Sequence, residues 1–267
     1  MVVEGLCSIT SEYMLEAGSL HTRAVQPPGR RCAMRVQAMG EAVRRALIFD
    51  LDGVLADTAQ HHYRSWQQLA HRLGLTFSSR SNGLLLGRSR EDALTIFLRE
   101  TGADGDITPA ERKRLLQWKN EYFHRSIEGL GEDDLNPGVG RLLGAAQAQG
   151  VPVGLASSSR NARLVCERLG ILDSFTAVAD GRSGLRPKPE PDLFLWVAGA
   201  LGVLPHECTV IEDAPAGVEA AKRGGFRTVA VGDAAAPGSA DLHLEDLSVA
   251  SLGLLLDGEP SMAVNHE

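Results

Sequence analysis

The chain has 267 residues, 43% hydrophobic and 23% charged, a balance that suits a folded unit with room for a core and an insertion. A formal charge of −7 argues against a dedicated nucleic-acid binder, which needs a Lys/Arg surplus, and no apolar run reaches membrane-spanning length. Cys7, Cys32, Cys166 and Cys208 are scattered without a CxxC pair, which argues against a disulfide framework or zinc site and for reduced thiols in the cytoplasm.

Residues 1–43 mix Pro27, Pro28 and Gly29 with an Arg-rich patch and carry no signal-peptide core. They are expected to be a disordered, non-catalytic extension. From Ala46 the pattern changes. ALIF (46–49) is a strand-like apolar run that ends at Asp50 and Asp52 just before Gly53. Two carboxylates aimed at one point repel, and ionised carboxylates are costly to bury alone. Either both are solvated turn acids, or something positive is held between them.

The next stretch has no good strand. His62, Trp66, Leu69 and Leu73 recur at helical spacing, and Ser89 with Asp92 has capping-box spacing for a helix that Gly102 can stop. Thr108, Pro109 and Glu111 predict another helix start, followed by the apolar stripe Leu115, Trp118 and Tyr122. GEDDLNPG (131–138) reads as a return linker. The strand-like runs VPVGLA (151–156), FTAVA (175–179), CTVI (208–211) and FRTVAV (226–231) then alternate with helical stretches, which predicts a parallel sheet covered on both faces. The expected organisation is therefore an α/β core over 44–57 and 133–257, an all-helical cap over 58–132, and a tail over 258–267.

In open parallel sheets, ligands bind beyond the carboxyl ends of the strands. Four polar clusters stand at or shortly after such ends: Asp50 with Asp52, Ser157 to Asn161, Lys188, and Glu212 with Asp213. If the strands are adjacent, the four converge. Carboxylate oxygens around one point suit a hard cation such as Mg²⁺.

FDLDGVLADT, ASSSRN, RPKPEPDLF and IEDAPAGVEA, in that order, resemble the four motifs of the haloacid dehalogenase superfamily over about residues 46 to 250. That resemblance implies a Rossmann-like parallel-sheet core with a small inserted helical cap, and phosphoryl transfer through an aspartyl-phosphate. DTAQHHYRSW, GRSREDAL and WKNEY further resemble the cap of its β-phosphoglucomutase-like subfamily. The implied roles are Asp50 as nucleophile and Asp52 as general acid and base, with the Asp52 carbonyl joining Asp50, Glu212 and Asp213 around Mg²⁺. Ser157 and Lys188 would hold the transferring phosphoryl oxygens. Arg90, Arg160 and Asn161 would take a second phosphate. Lys119 would face the sugar, His62 would be the cap histidine near the hinge, and Thr58, Trp66, Gly87 and Ser159 would also bind substrate.

On residues alone other readings stand beside these. Lys188 lies in a proline-rich stretch that suits a surface turn, although the family has a cis bond at Lys188-Pro189. His62 on an apolar helical face suits a satisfied core histidine, with His61 pointing elsewhere. Trp66 and Trp118 suit cap core. The chain also departs from the mutases, with Arg160 where they have lysine, Arg88 where they have an apolar residue and Ala93 where they have serine. These departures leave the chemistry alone and bear on which sugar is taken. The resemblance implies a monomeric cytoplasmic enzyme that interconverts β-glucose 1-phosphate and glucose 6-phosphate through a 1,6-bisphosphate. A sugar-phosphate phosphatase on the same residues is the alternative. The implied partner is a small sugar phosphate, with neither nucleic acid nor membrane.

Overall fold

Short aliphatic runs bounded by acids, glycine and proline become the strands of a single sheet in the computed structural model, which describes residues 45–232 and 238–257. The extension expected over 1–43 and the tail over 258–267 lie outside the described residues. The strands are β1 (Ala46–Phe49), β2 (Val153–Ala156), β3 (Ala177–Ala179), β4 (Cys208–Glu212), β5 (Arg227–Val231) and β6 (Leu242–Leu244), in the order β3-β2-β1-β4-β5-β6 and all parallel. Phe49 is in register with Leu155 of β2 and Ile211 of β4, so Asp50 emerges level with both neighbouring strand ends.

Alternation along β1 feeds two cores. Leu47 and Phe49 cluster with residues of α5 (Val139–Ala148), α6 (Ala162–Arg168) and α9 (Leu252–Asp257). Ala46 and Ile48 cluster on the other face with Phe194, Val197 and Ala221, from α7 (Asp192–Leu201) and α8 (Pro215–Arg223). A strand covered on both faces has no polar side, which is why the central strands read as continuous apolar runs. The sheet is a helix-covered, Rossmann-like α/β fold.

Between β1 and α5 the chain forms the helices α1 (Ala59–Arg72), α2 (Ser79–Asn82), α3 (Arg90–Glu100) and α4 (Pro109–Ser126). Their starts are local chemistry. The Ser89 hydroxyl accepts from the Asp92 N–H at 3.1 Å, and Thr108 and Glu111 form a reciprocal capping box ahead of Pro109. The helices bury a core of their own around Trp66, Leu69, Phe77, Leu94, Phe97 and Leu115. Trp118 and Tyr122 are only partly buried at its edge, and the Arg72 guanidinium lies 3.7 Å over the Trp118 ring.

The return linker passes beside the acidic loop. Ala56 pairs antiparallel with Leu135, and the Asn136 amide donates to the Gly53 and Val54 carbonyls at 2.8 and 3.0 Å. That clamp fixes the loop carrying Asp50 and Asp52. Two features differ from the sequence reading. β6 went unseen because Leu242, His243 and Leu244 form a half-buried edge strand without an apolar run. α2 went unseen because four polar residues, capped by Ser78, carry no periodic signal.

Candidate active site

The floor of the site is a charge arrangement at the ends of β1 and β4. Asp50 follows β1 directly, and its N–H donates to the Ile211 carbonyl at 2.9 Å. The Lys188 ammonium, 1% exposed, donates to both Asp50 Oδ1 and Glu212 Oε1. Glu212 ends β4, and its Oε2 accepts from the Asp213 and Ala214 N–H groups at 2.9 Å each, just ahead of α8. Gly53 gives Asp213 its place: with φ at +84°, a Cβ there would lie 2.0 Å from Asp213 Oδ2.

Asp50, Glu212 and Asp213 each offer an oxygen, all within 4.8 Å of one another. With Asp52 nearby, four carboxyls face a single ammonium. Burial pushes the Asp50 carboxyl up to about 8 against the opposing pull of Lys188. Burial also raises Asp52 and, more strongly, Asp213. Burial works against the Lys188 charge, but Asp50 and Glu212 outweigh it and the net shift is upward. A cluster this acidic, this buried and made of oxygen donors fits a hard divalent cation.

Asp52 stands above that floor and joins it to the helices. Thr58 occupies the N-cap position of α1, but its hydroxyl donates to Asp52 Oδ1 rather than capping the helix. His62 Nε2 lies 3.6 Å from the same oxygen and has no hydrogen-bond partner. On its other side His62 Nδ1 is 2.6 Å from Lys119 Nζ, and its ring lies 4.2 Å from that of Phe123. Burial brings Lys119 down to about 7, with the Asp52 charge opposing, and lowers His62 well below its ordinary range.

One cavity runs from these acids to a basic end. Asp50, Asp52, His62, Trp66, Gly87, Arg90, Lys119, Ser159, Arg160, Asn161 and Asp213 all line it. Lys188 and Glu212 meet it through Asp50, and Thr58 through Asp52. Ser157 is fully buried at the end of β2, where its oxygen accepts from the Ser159 N–H at 3.1 Å. Trp66 is both wall and core, stacked 5.0 Å from Phe97. At the basic end burial, then the neighbouring Arg160, weakens the hold of Arg90 on its proton, with Glu91 opposing.

Contacts between the helical insertion and the core close this end. The Ser158 hydroxyl donates to the Gly87 carbonyl at 2.9 Å, Arg160 pairs with Glu91 at 3.0 Å, and the Asn161 amide donates to Asn120 Oδ1 at 3.0 Å. Sequence reasoning gave Ser158 only as part of the Ser157 to Asn161 cluster and did not single out Glu91, Asn120 or His124. A usable signal existed for the last two, which stand one helical turn apart, Asn120 directly after Lys119.

Over residues 44–225 the chain matches the family model described as haloacid dehalogenase-like hydrolase. The chain belongs to that family. It is 41% identical over 211 residues, 79% of this chain and 93% of the relative, to the β-phosphoglucomutase of Bacillus subtilis. It is 29% identical over 187 residues, 69% of this chain and 83% of the relative, to the phosphorylated carbohydrates phosphatase of Thermotoga maritima. Among solved structures it resembles a β-phosphoglucomutase from Clostridium difficile with a TM-score of 0.75 and 35% identity, covering 78% of this chain and 93% of that one. Haloacid dehalogenase-like relatives named as mutases and as phosphatases therefore both share this chain's fold.

Proposed function

We propose that this family member is a Mg²⁺-dependent β-phosphoglucomutase, interconverting β-glucose 1-phosphate and glucose 6-phosphate through a 1,6-bisphosphate. One observation carries the reading: a single cavity has a buried carboxylate paired with a lysine on its floor and arginines, Arg90 and Arg160 among them, in its lining. A hexose carrying two phosphates suits two such groups in one cavity, and the Bacillus subtilis relative supports the choice. Asp50, Glu212 and Asp213 would hold Mg²⁺ with carboxylate oxygens and Asp52 with its carbonyl. When bound, Mg²⁺ offsets the negative charge shared by these acids and the phosphoryl group.

Asp50 is the nucleophile, forming an aspartyl-phosphate so that one displacement becomes two. Lys188, paired with Asp50, favours its ionised form and with Ser157 holds the phosphoryl oxygens. Asp52 gives its proton to the leaving sugar oxygen and takes one from the incoming hydroxyl. A carboxyl raised by burial is suited to that exchange. Thr58 holds Asp52 in place from the helical side, with His62 beside it. Arg90, Ser159, Arg160 and Asn161 take the phosphate that is not reacting, where guanidinium forks suit its oxygens. Trp66, Gly87 and Lys119 face the sugar.

The helices over 58–132 would act as a cap that closes over the intermediate and keeps water from Asp50. A monomer acting in the cytoplasm on a small sugar phosphate completes the proposal. Among the described residues no helix is long and apolar enough to cross a membrane. The test is incubation with β-glucose 1-phosphate and a trace of glucose 1,6-bisphosphate, with glucose 6-phosphate assayed against free phosphate. Free phosphate as the main product would replace the mutase reading with the phosphatase one.

A further inference from the structure

Asn120 and His124 lie one turn apart on α4, and both reach across to Asn161, the core residue that opens α6. Asn120 Oδ1 accepts from Arg90 Nη2 at 3.3 Å and from Asn161 Nδ2 at 3.0 Å. Asn120 Nδ2 and Asn161 Oδ1 then both face His124 Nε2, at 3.2 and 3.1 Å. Donor chemistry sets these orientations. A guanidinium can only donate, so the Asn120 atom beside Arg90 is its oxygen, and the Asn161 atom beside that oxygen is its nitrogen. Asn161 is 4% exposed, and both polar ends of its side chain are met by α4.

Phosphoryl transfer at Asp50 needs none of these contacts. They matter at the far end of the cavity, where Arg90 comes from the insertion and Asn161 from the core. Resting on the mutase reading, we infer that Asn120, steadied by His124, is a positioning residue that assembles the distal phosphate site from its two halves. One amide oxygen holds the Arg90 guanidinium and the Asn161 amide together. A phosphate there meets donors from both sides only while the insertion is closed on the core. His124 Nε2 serves one amide at a time, accepting from Asn120 in one tautomer and donating to Asn161 in the other.

The test uses two phosphoryl donors for the full chain: glucose 1,6-bisphosphate, which has a distal phosphate, and acetyl phosphate, which has none. In Asn120→Ala and in His124→Ala, KM for the bisphosphate rises tenfold or more while kcat falls less than threefold. The ratio of kcat/KM between bisphosphate and acetyl phosphate then drops at least tenfold. His124→Gln, which keeps a hydrogen-bonding amide at that place, restores most of the ratio. If Asn120→Ala does not fold, the His124 pair decides by the same ratio. A ratio within threefold of wild type in the alanine variants overturns the inference, whether KM is unmoved or both donors suffer alike. The product of the wild-type reaction judges the mutase reading separately, because the donor ratio can be measured whether the chain releases glucose 6-phosphate or phosphate.

Discussion

Replacing Lys119 with methionine keeps an unbranched stem and removes a buried ammonium. Around Lys119 Nζ stand His62 Nδ1 at 2.6 Å and the Phe123 and Trp66 rings at 4.9 and 5.3 Å, and among the described residues no carboxylate pairs with it. Burial lowers its pKa from the ordinary 10.5 to about 7, Asp52 offsetting part of that and Arg90 adding to it. The unfolded chain therefore keeps the proton across a range in which the folded one has released it. Between those two values the unfolded state binds more protons, so this group makes stability rise with pH by at most ~1.4 kcal/mol per pH unit. Below about pH 7 both states are charged and the burial penalty is present in full. The variant lacks the effect at every pH. Urea unfolding of both ligand-free proteins should show wild type gaining on Lys119→Met by roughly 2–3 kcal/mol between about pH 7.5 and 9.5. The variant has its greatest advantage near about pH 6, where the penalty it escapes is largest. A difference that stays flat with pH, or that turns against wild type as pH rises, would refute the argument.

Lys188→Met leaves Asp50 and Glu212 buried against each other without their shared cation; calorimetry of the ligand-free protein should show a loss of about 3–5 kcal/mol, and phosphoryl transfer should fall by roughly 10²–10³. Glu91→Gln removes the partner of Arg160 across the closure; the pair is about half exposed, so stability should move by less than about 1 kcal/mol while KM for sugar phosphate rises by roughly two- to fivefold. Gly53→Ala places a methyl group into Asp213 at positive φ, so the Mg²⁺ needed for half-maximal activity should rise along with a stability loss of about 1–3 kcal/mol. Gly74→Ala is the control for that substitution, having φ of +69° with nothing within 4 Å, and should leave the Mg²⁺ requirement where it is.

What could be read from the sequence is what local chemistry or burial on both faces determines. Strands β1 to β5 were legible because strands covered on both sides are apolar throughout, whereas the half-buried β6 gave no such pattern. Helices α3 and α4 announced themselves through Ser89 and Thr108, whose caps act within three residues. The acids at the ends of β1 and β4 stood out because carboxylates at the end of an apolar strand need a reason. Lys188 stood out less: the residues placed it after a strand end but equally allowed a surface turn, and the family resemblance favoured the site. Its place between Asp50 and Glu212 depends on contacts 138 and 24 residues away. The His62–Lys119 contact spans 57 residues and the Arg160–Glu91 contact 69, so composition and spacing carry no trace of either.

The same distinction bears on why mutases and phosphatases share these motifs. On the proposed reading, attack on phosphorus uses Asp50, Asp52, Lys188 and the acids of β4, and those residues serve equally whether a sugar hydroxyl or water accepts the phosphoryl group. The acceptor would then be chosen by how long the helices stay shut. Here the closure rests on Ser158 with Gly87, Arg160 with Glu91, and Asn161 with Asn120. At a net of about 1 kcal/mol for each of the two hydrogen bonds and less for the half-exposed ion pair, these contacts favour the closed form by roughly thirtyfold or more, and removing one hydrogen bond takes several-fold off that preference. A few polar residues on the rim could therefore shift an aspartyl-phosphate from sugar toward water without any change at the floor. It follows that Ser158→Ala should raise the share of free phosphate among the products more than it lowers total turnover of Asp50.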